Sequence, residues 1–130
     1  DATGDLNRLE QSIKKLGPEF IQLTGEDGLA YEFNKRGGVG IISVTANIAP
    51  KLCSQFMQLC LSKDFAEAAK INDKLMPLHH ALFVESSPGP VKYAASKLGL
   101  CGEEIRLPLT LISDETKVLV DKALKHASLI

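Results

Sequence analysis

Two polar turns, a glycine run, a histidine pair, three cysteines and a scatter of lysines hold the side chains of this sequence that could do chemistry. Gly25-Glu26-Asp27 follows a short β-rich run, residues 20–24. It therefore lies just past a strand's C-terminal end, where α/β barrels place their reactive groups. Two acids also favour the positive end of a helix dipole, so the turn alone admits a structural reading too. Thr3-Gly4-Asp5 is a turn of the same kind. The glycines at 37, 38 and 40 have the composition of a phosphate cradle but the wrong order. A dinucleotide fingerprint needs glycines after a strand and opening a helix. These follow a helical pattern and precede a strand, and Ser43 stands where the third glycine belongs. Helix capping and a tight turn into the strand account for them.

Metal and thiol chemistry find little support. Adjacent helical residues such as His79 and His80 point about 100° apart, and no H-E-x-x-H pattern surrounds them, so no metal is expected. His126 sits in a last helical turn, where dipole complementarity is reason enough. Cys53 and Cys60 would stand about 10 Å apart on one helix, beyond disulfide reach. Cys101 has no neighbouring histidine or cysteine in sequence, and an odd count of 3 cysteines fits a reducing, cytoplasmic setting. A Schiff-base enzyme needs a desolvated lysine at a strand end, and every lysine here falls on a helical pattern or its end. The chain carries no good imine-forming residue of its own.

The elements that must position these groups change texture near residue 62. Asp5 can cap a helix with Leu6, Leu9, Ile13 and Leu16 on one face, ended by Gly17-Pro18. A strand over residues 20–24 leads through the acidic turn to a helix ending near Arg36. A second strand, residues 41–45, is short and β-branched without strict alternation, as in a parallel sheet buried on both faces. Asn47 is a good N-cap and Pro50 suits a first helical turn. This βαβ pattern predicts parallel strands. Three further helices follow, with Asp64, Ser87 and Ser113 as candidate caps, and with Pro88 and then Asp114 and Glu115 in first turns. Residues 1–62 thus form barrel-like units and residues 63–130 a helical unit.

At 130 residues, with 45% hydrophobic and 24% charged, the chain is globular in composition. Lys+Arg 15 against Asp+Glu 16 gives a net charge of −1, so nucleic acid and anionic membranes are poor partners. No apolar run approaches the roughly 20 residues of a membrane-spanning helix, and the first residues lack a secretory pattern. Two strands, with the tail of a third before Gly4, would leave both sheet edges unpaired. The chain reads as the end of a larger α/β fold.

Several strings are then diagnostic. Ala2-Thr3-Gly4-Asp5-Leu6, Leu23-Thr24-Gly25-Glu26-Asp27 and the run from Gly37 through Ile41-Ile42-Ser43-Val44-Thr45-Ala46-Asn47 closely resemble the dihydrodipicolinate synthase family. Ile71-Asn72-Asp73-Lys74-Leu75-Met76-Pro77-Leu78-His79, Pro90-Val91-Lys92 and Arg106-Leu107-Pro108-Leu109-Thr110 agree with it, in order along the whole chain. Ser87-Pro88-Gly89-Pro90 departs from the family's common Asn-Pro-Ile-Pro, at a helix start distant from the chemistry.

The resemblance implies the C-terminal part of a (β/α)8 TIM barrel, namely the end of strand six and strands seven and eight, followed by a three-helix C-terminal domain. It implies a class I aldolase-type lyase in which a lysine on strand six forms a Schiff base with pyruvate. In the synthases the resulting enamine attacks L-aspartate semialdehyde on the diaminopimelate route to lysine. That lysine would stand immediately before Asp1, so the isolated chain is expected to be inactive without the missing N-terminal barrel half. Ile42 matches a position contacting pyruvate. Gly25, Glu26 and Asp27 match the turn lining the aldehyde pocket, and Thr3 adjoins the lysine turn. No cofactor is implied, and a homotetramer is. A sister lyase acting on N-acetylneuraminate or a keto-sugar acid, and a non-catalytic half-barrel needing a partner chain, are the alternatives.

Overall fold

A computed structural model describes residues 1–130. Its regular elements are six α-helices: α1 (Leu6–Leu16), α2 (Ala30–Lys35), α3 (Pro50–Leu61), α4 (Phe65–Ala81), α5 (Gly89–Lys97) and α6 (Asp114–His126). Two short 3₁₀ turns, Asp27–Leu29 and Thr45–Asn47, precede α2 and α3. Local capping chemistry sets most of the helix starts. The Asp5 carboxylate accepts the Asn7 N–H at 2.9 Å, Asp64 accepts the Glu67 N–H at 3.2 Å, and the Ser113 hydroxyl accepts the Thr116 N–H at 3.2 Å. Each satisfies a donor that a helix start leaves unpaired. At the far end of α1, Gly17 takes φ 87 and returns its N–H to the Ile13 carbonyl at 2.9 Å.

Two expected caps shift. Asn47 closes the 3₁₀ turn by donating from its side chain to the Val44 carbonyl at 2.9 Å, and α3 begins behind Ala49 with Pro50 in its first turn. Ser87 lies outside α5, whose cap residue is Pro88. The apolar face of α1 is covered unevenly: Leu9 is buried, Leu6 and Ile13 are half-buried, and Leu16 is 56% exposed.

The larger difference concerns the strands. Neither residues 20–24 nor residues 41–45 form a regular strand; what remains is one parallel bridge between Thr24 and Ile41. The Thr24 N–H donates to the Gly40 carbonyl at 3.1 Å, and the Ile42 N–H to the Thr24 carbonyl at 2.8 Å. On the other side of the same segment, the Asp1 nitrogen donates to the Leu23 carbonyl at 2.7 Å and the Gly25 N–H to the Asp1 carbonyl at 2.7 Å. Asp1, Thr24 and Ile41 therefore stand abreast in a parallel arrangement. The pairing ends quickly for a specific reason. Beyond Ile42 the N–H groups of Val44 and Thr45 turn to the side chain of Asp27 instead of a neighbouring backbone.

Packing joins the two halves of the chain. One cluster of 19 buried residues runs from Ala30 and Ile48 through Cys53, Phe56 and Cys60 of α3, Leu75 and Leu78 of α4 and Ala94 of α5 to Leu124 of α6. Cys53, Phe56 and Cys60 recur at helical spacing, so both thiols serve as small core hydrophobes. Burial, with the Asp27 charge as a lesser cause, pushes the Cys53 thiol up to about 11. No helix is long and apolar enough to cross a membrane.

Candidate functional site

The abreast pairing of Asp1, Thr24 and Ile41 brings three distant turns to one edge. Thr3 follows the first, Gly25-Glu26-Asp27 the second and Ile42 the third. Thr3 is exposed, and both its N–H and its hydroxyl bond Asp1 Oδ1, at 2.7 and 2.6 Å. Gly25 lies against Ala2, where an added Cβ would stand 3.3 Å from the Ala2 Cβ. The Glu26 N–H donates to the Thr24 hydroxyl at 3.1 Å, which shapes the turn and leaves the Glu26 carboxylate partly exposed. Ile42 is 70% exposed, an unusual position for a large aliphatic side chain on paired backbone.

Asp27 is different in kind. It is 1% exposed, and its carboxylate turns inward. Oδ1 accepts the Ser43 hydroxyl, while Oδ2 accepts the N–H of Val44 at 2.9 Å and of Thr45 at 3.2 Å. Ser43 Oγ in turn accepts the Ala46 N–H at 2.9 Å. A buried carboxylate is tolerated only when such donors replace water, and bonds to the charged form are the stronger kind.

Thr45, wholly buried, continues the chain of contacts: its Oγ1 lies 2.8 Å from Nδ1 of His79 on α4. His79 Nδ1 is also 3.8 Å from Asp27 Oδ1. Burial holds the His79 imidazole below its usual value, and the Asp27 charge offsets this only in part. The ring is therefore neutral at pH 7, and its partnership with Asp27 is not an ion pair.

Between the Glu26–Gly28 turn and the last turn of α4 lies a cleft of about 230 Å³ reached by Met76, His80 and Phe83. Its carboxylate, imidazole and apolar surfaces suit a small polar molecule with a short hydrocarbon part. Every lysine except Lys63 lies on a helix, and Lys63 is in the turn between α3 and α4.

Ser43, Thr45 and the structural role of His79 carry only faint signals in the sequence. Two hydroxyl residues inside an otherwise apolar run, and a histidine beside Leu75 and Leu78 on a helix, were the available signals. The glycine run is structural. Gly37 takes φ 107, and a Cβ on Gly38 would strike the Phe33 ring.

Parallel pairing with its polar turns gathered at one edge, backed by helices, is an α/β arrangement of the kind that binds small molecules at strand ends. The chain belongs to the dihydrodipicolinate synthetase family, which it matches over residues 1–127. The 4-hydroxy-tetrahydrodipicolinate synthase of Roseobacter denitrificans is 58% identical over 130 residues, covering 100% of this chain and 45% of that protein. That of Ruegeria pomeroyi is 55% identical with the same coverage. Among solved structures, the chloride-inhibited dihydrodipicolinate synthase of Acinetobacter baumannii, complexed with pyruvate, matches with a TM-score of 0.94 and 42% identity. The match covers 100% of this chain and 45% of that one. The dihydrodipicolinate synthase of Aquifex aeolicus gives 0.94 and 36%, over 99% of this chain and 44% of that one. The chain thus spans under half the length of the relatives it matches.

Proposed function

We propose that this chain is the C-terminal portion of a 4-hydroxy-tetrahydrodipicolinate synthase, a lyase of the diaminopimelate route to lysine. Residues 1–62 supply the end of strand six, strands seven and eight and their helices in a (β/α)8 barrel. Residues 63–130 supply the three-helix appendage. The observation that carries this reading is the abreast register of Asp1, Thr24 and Ile41. It gathers Thr3, Gly25, Glu26, Asp27 and Ile42 at one edge, as neighbouring barrel strands would.

The chemistry follows from the family. A lysine amine immediately upstream of Asp1 adds to the pyruvate carbonyl, water leaves, and an imine forms. Loss of a methyl proton gives an enamine whose carbon attacks the aldehyde carbon of L-aspartate semialdehyde, and the adduct then cyclises. The imine's electron-withdrawing nitrogen supplies the activation, so neither metal nor cofactor is required. Ile42 offers an exposed apolar surface to the pyruvate methyl group. Glu26, at the mouth of the cleft, offers a carboxylate to the ammonium of the semialdehyde. Thr3 shapes the backbone that follows the lysine. The working protein is a cytoplasmic homotetramer in this reading, and the isolated chain is inactive because its nucleophile lies elsewhere.

Borohydride reduction with pyruvate tests this directly. The full-length protein should gain one irreversibly trapped pyruvate, located by peptide mass spectrometry on the residue preceding Asp1. The 130-residue chain alone should gain none. An adduct on any lysine within the chain would sink the assignment.

A further inference from the structure

Ile42 is held by its backbone, because its side chain is 70% exposed and nothing packs over it to fix its place. Two tethers bracket it. Upstream, its N–H reaches the Thr24 carbonyl at 2.8 Å. Downstream, the next three residues are bound by a single side chain: Ser43 through its hydroxyl, Val44 and Thr45 through their N–H groups, all to Asp27. Both tethers originate in the same segment, residues 24–27. The turn beside the aldehyde pocket and the segment bearing Ile42 are therefore mechanically one piece. The contact between Thr45 and His79 extends the tie to α4. Asp27 is 1% exposed and both its carboxylate oxygens are engaged within the fold, so it presents little to a ligand.

We propose that Asp27 is a positioning residue that touches neither substrate and fixes Ile42 for the keto acid through Ser43, Val44 and Thr45. The proposal rests on the reading that Ile42 faces pyruvate, and it gives Asp27, expected in the turn lining the aldehyde pocket, a role directed at the other substrate. The carboxylate is specific to the task. An amide in its place keeps one acceptor oxygen but replaces the charge-assisted bond from the Ser43 hydroxyl with, at best, a neutral N–H₂ contact to that hydroxyl. Ser43→Ala removes that same bond while leaving both backbone donors on Oδ2.

The test is carried out on the full-length protein with Asp27→Asn, Ser43→Ala and the double variant. Half-saturation by pyruvate is read from borohydride trapping without aldehyde, and KM for each substrate from steady-state rates. Each single variant should raise pyruvate half-saturation about tenfold, the loss expected from one bond to a buried charge. KM for the aldehyde should stay within about twofold, as for a group that contributes nothing to its binding. The double variant should be little worse than the weaker single, because both changes break one tether.

A rise in aldehyde KM with pyruvate binding intact in Asp27→Asn would make Asp27 a contact residue and overturn the proposal. A lower unfolding midpoint with both affinities unchanged would reduce it to a stability element. Should Asp27→Asn not fold, Ser43→Ala alone still separates these outcomes. Failure of the underlying functional reading looks different: the wild-type protein itself would trap no pyruvate, and this inference would fall with it.

Discussion

At the scale of single residues, the candidate site is backed by a buried polar relay that the sequence marks only faintly. Asp27, Ser43, Thr45 and His79 come from three segments, and each satisfies another's hydrogen-bonding need. The lowered protonation tendency of His79 gives this relay a pH signature. In the unfolded chain the imidazole takes a proton near its ordinary value of 6.5, whereas in the fold it resists doing so. The unfolded state therefore binds more protons in acid. The contribution is present above about pH 6.5 and is lost as pH falls through and below that value. Unfolding free energies of wild type and His79→Asn from urea titration should differ most near pH 7.5, by about 1 kcal/mol for the lost Thr45 bond. The gap should narrow toward about pH 5.5. A gap that widens in acid would reverse the assigned protonation state.

At the scale of elements, the helices and the strands tell opposite stories. The starts of α1, α4 and α6 were legible because Asp5, Asp64 and Ser113 bond donors two or three residues away. Ser113 does more than cap: its N–H and hydroxyl both donate to Glu85, at 3.0 and 2.8 Å. The Thr116 hydroxyl, and after it these two bonds, hold the Glu85 carboxyl below its usual range. Ser113→Ala should lower stability by about 1 kcal/mol, the ordinary worth of an N-cap, read as a shift of the thermal midpoint. Ser113→Asp should recover less than the cap alone predicts, because it sets a second carboxylate beside Glu85.

The strands were legible only as tendency. Residues 41–45 have β-branched composition, but a ladder needs a partner for every N–H, and Asp27 captures two of them. Likewise Asn47, a good cap by type, is drawn back to Val44 because the 3₁₀ turn presents that carbonyl first.

At the scale of the whole molecule, exposed apolar side chains occur along the chain, and several of them flank the paired segments. Phe20, Ile21, Val39 and Ile42 are 54%, 71%, 42% and 70% exposed, and they cluster around the Thr24–Ile41 bridge. An apolar row beside unpaired backbone is a surface that seeks a partner. The isolated chain should bind a hydrophobic dye such as ANS and sediment as associated species at micromolar concentration. The full-length protein should do neither at its paired edge. A monomeric, dye-silent isolated chain would mean that its own elements suffice to cover that edge. The continuous core from Ala30 to Leu124 also means that the segments on either side of residue 62 share one interior. A cavity mutation such as Leu78→Ala, at a site with no exposure, is thus felt on both sides of residue 62.

By itself the sequence determined what depends on neighbours along the chain: helix positions through caps and periodicity, the closing role of Gly17, and family membership through ordered strings that match over residues 1–127. Only the tertiary structure decided the fate of Asp27, whose acidity is plain in the sequence but whose direction is not. The physical reason is range. A helix cap is settled within about four residues, whereas Asp27 and Ser43 are 16 positions apart and Thr45 and His79 are 34 apart. Such partners meet only in the folded chain, where pairing sets Thr24 beside Ile41 and α4 packs against them.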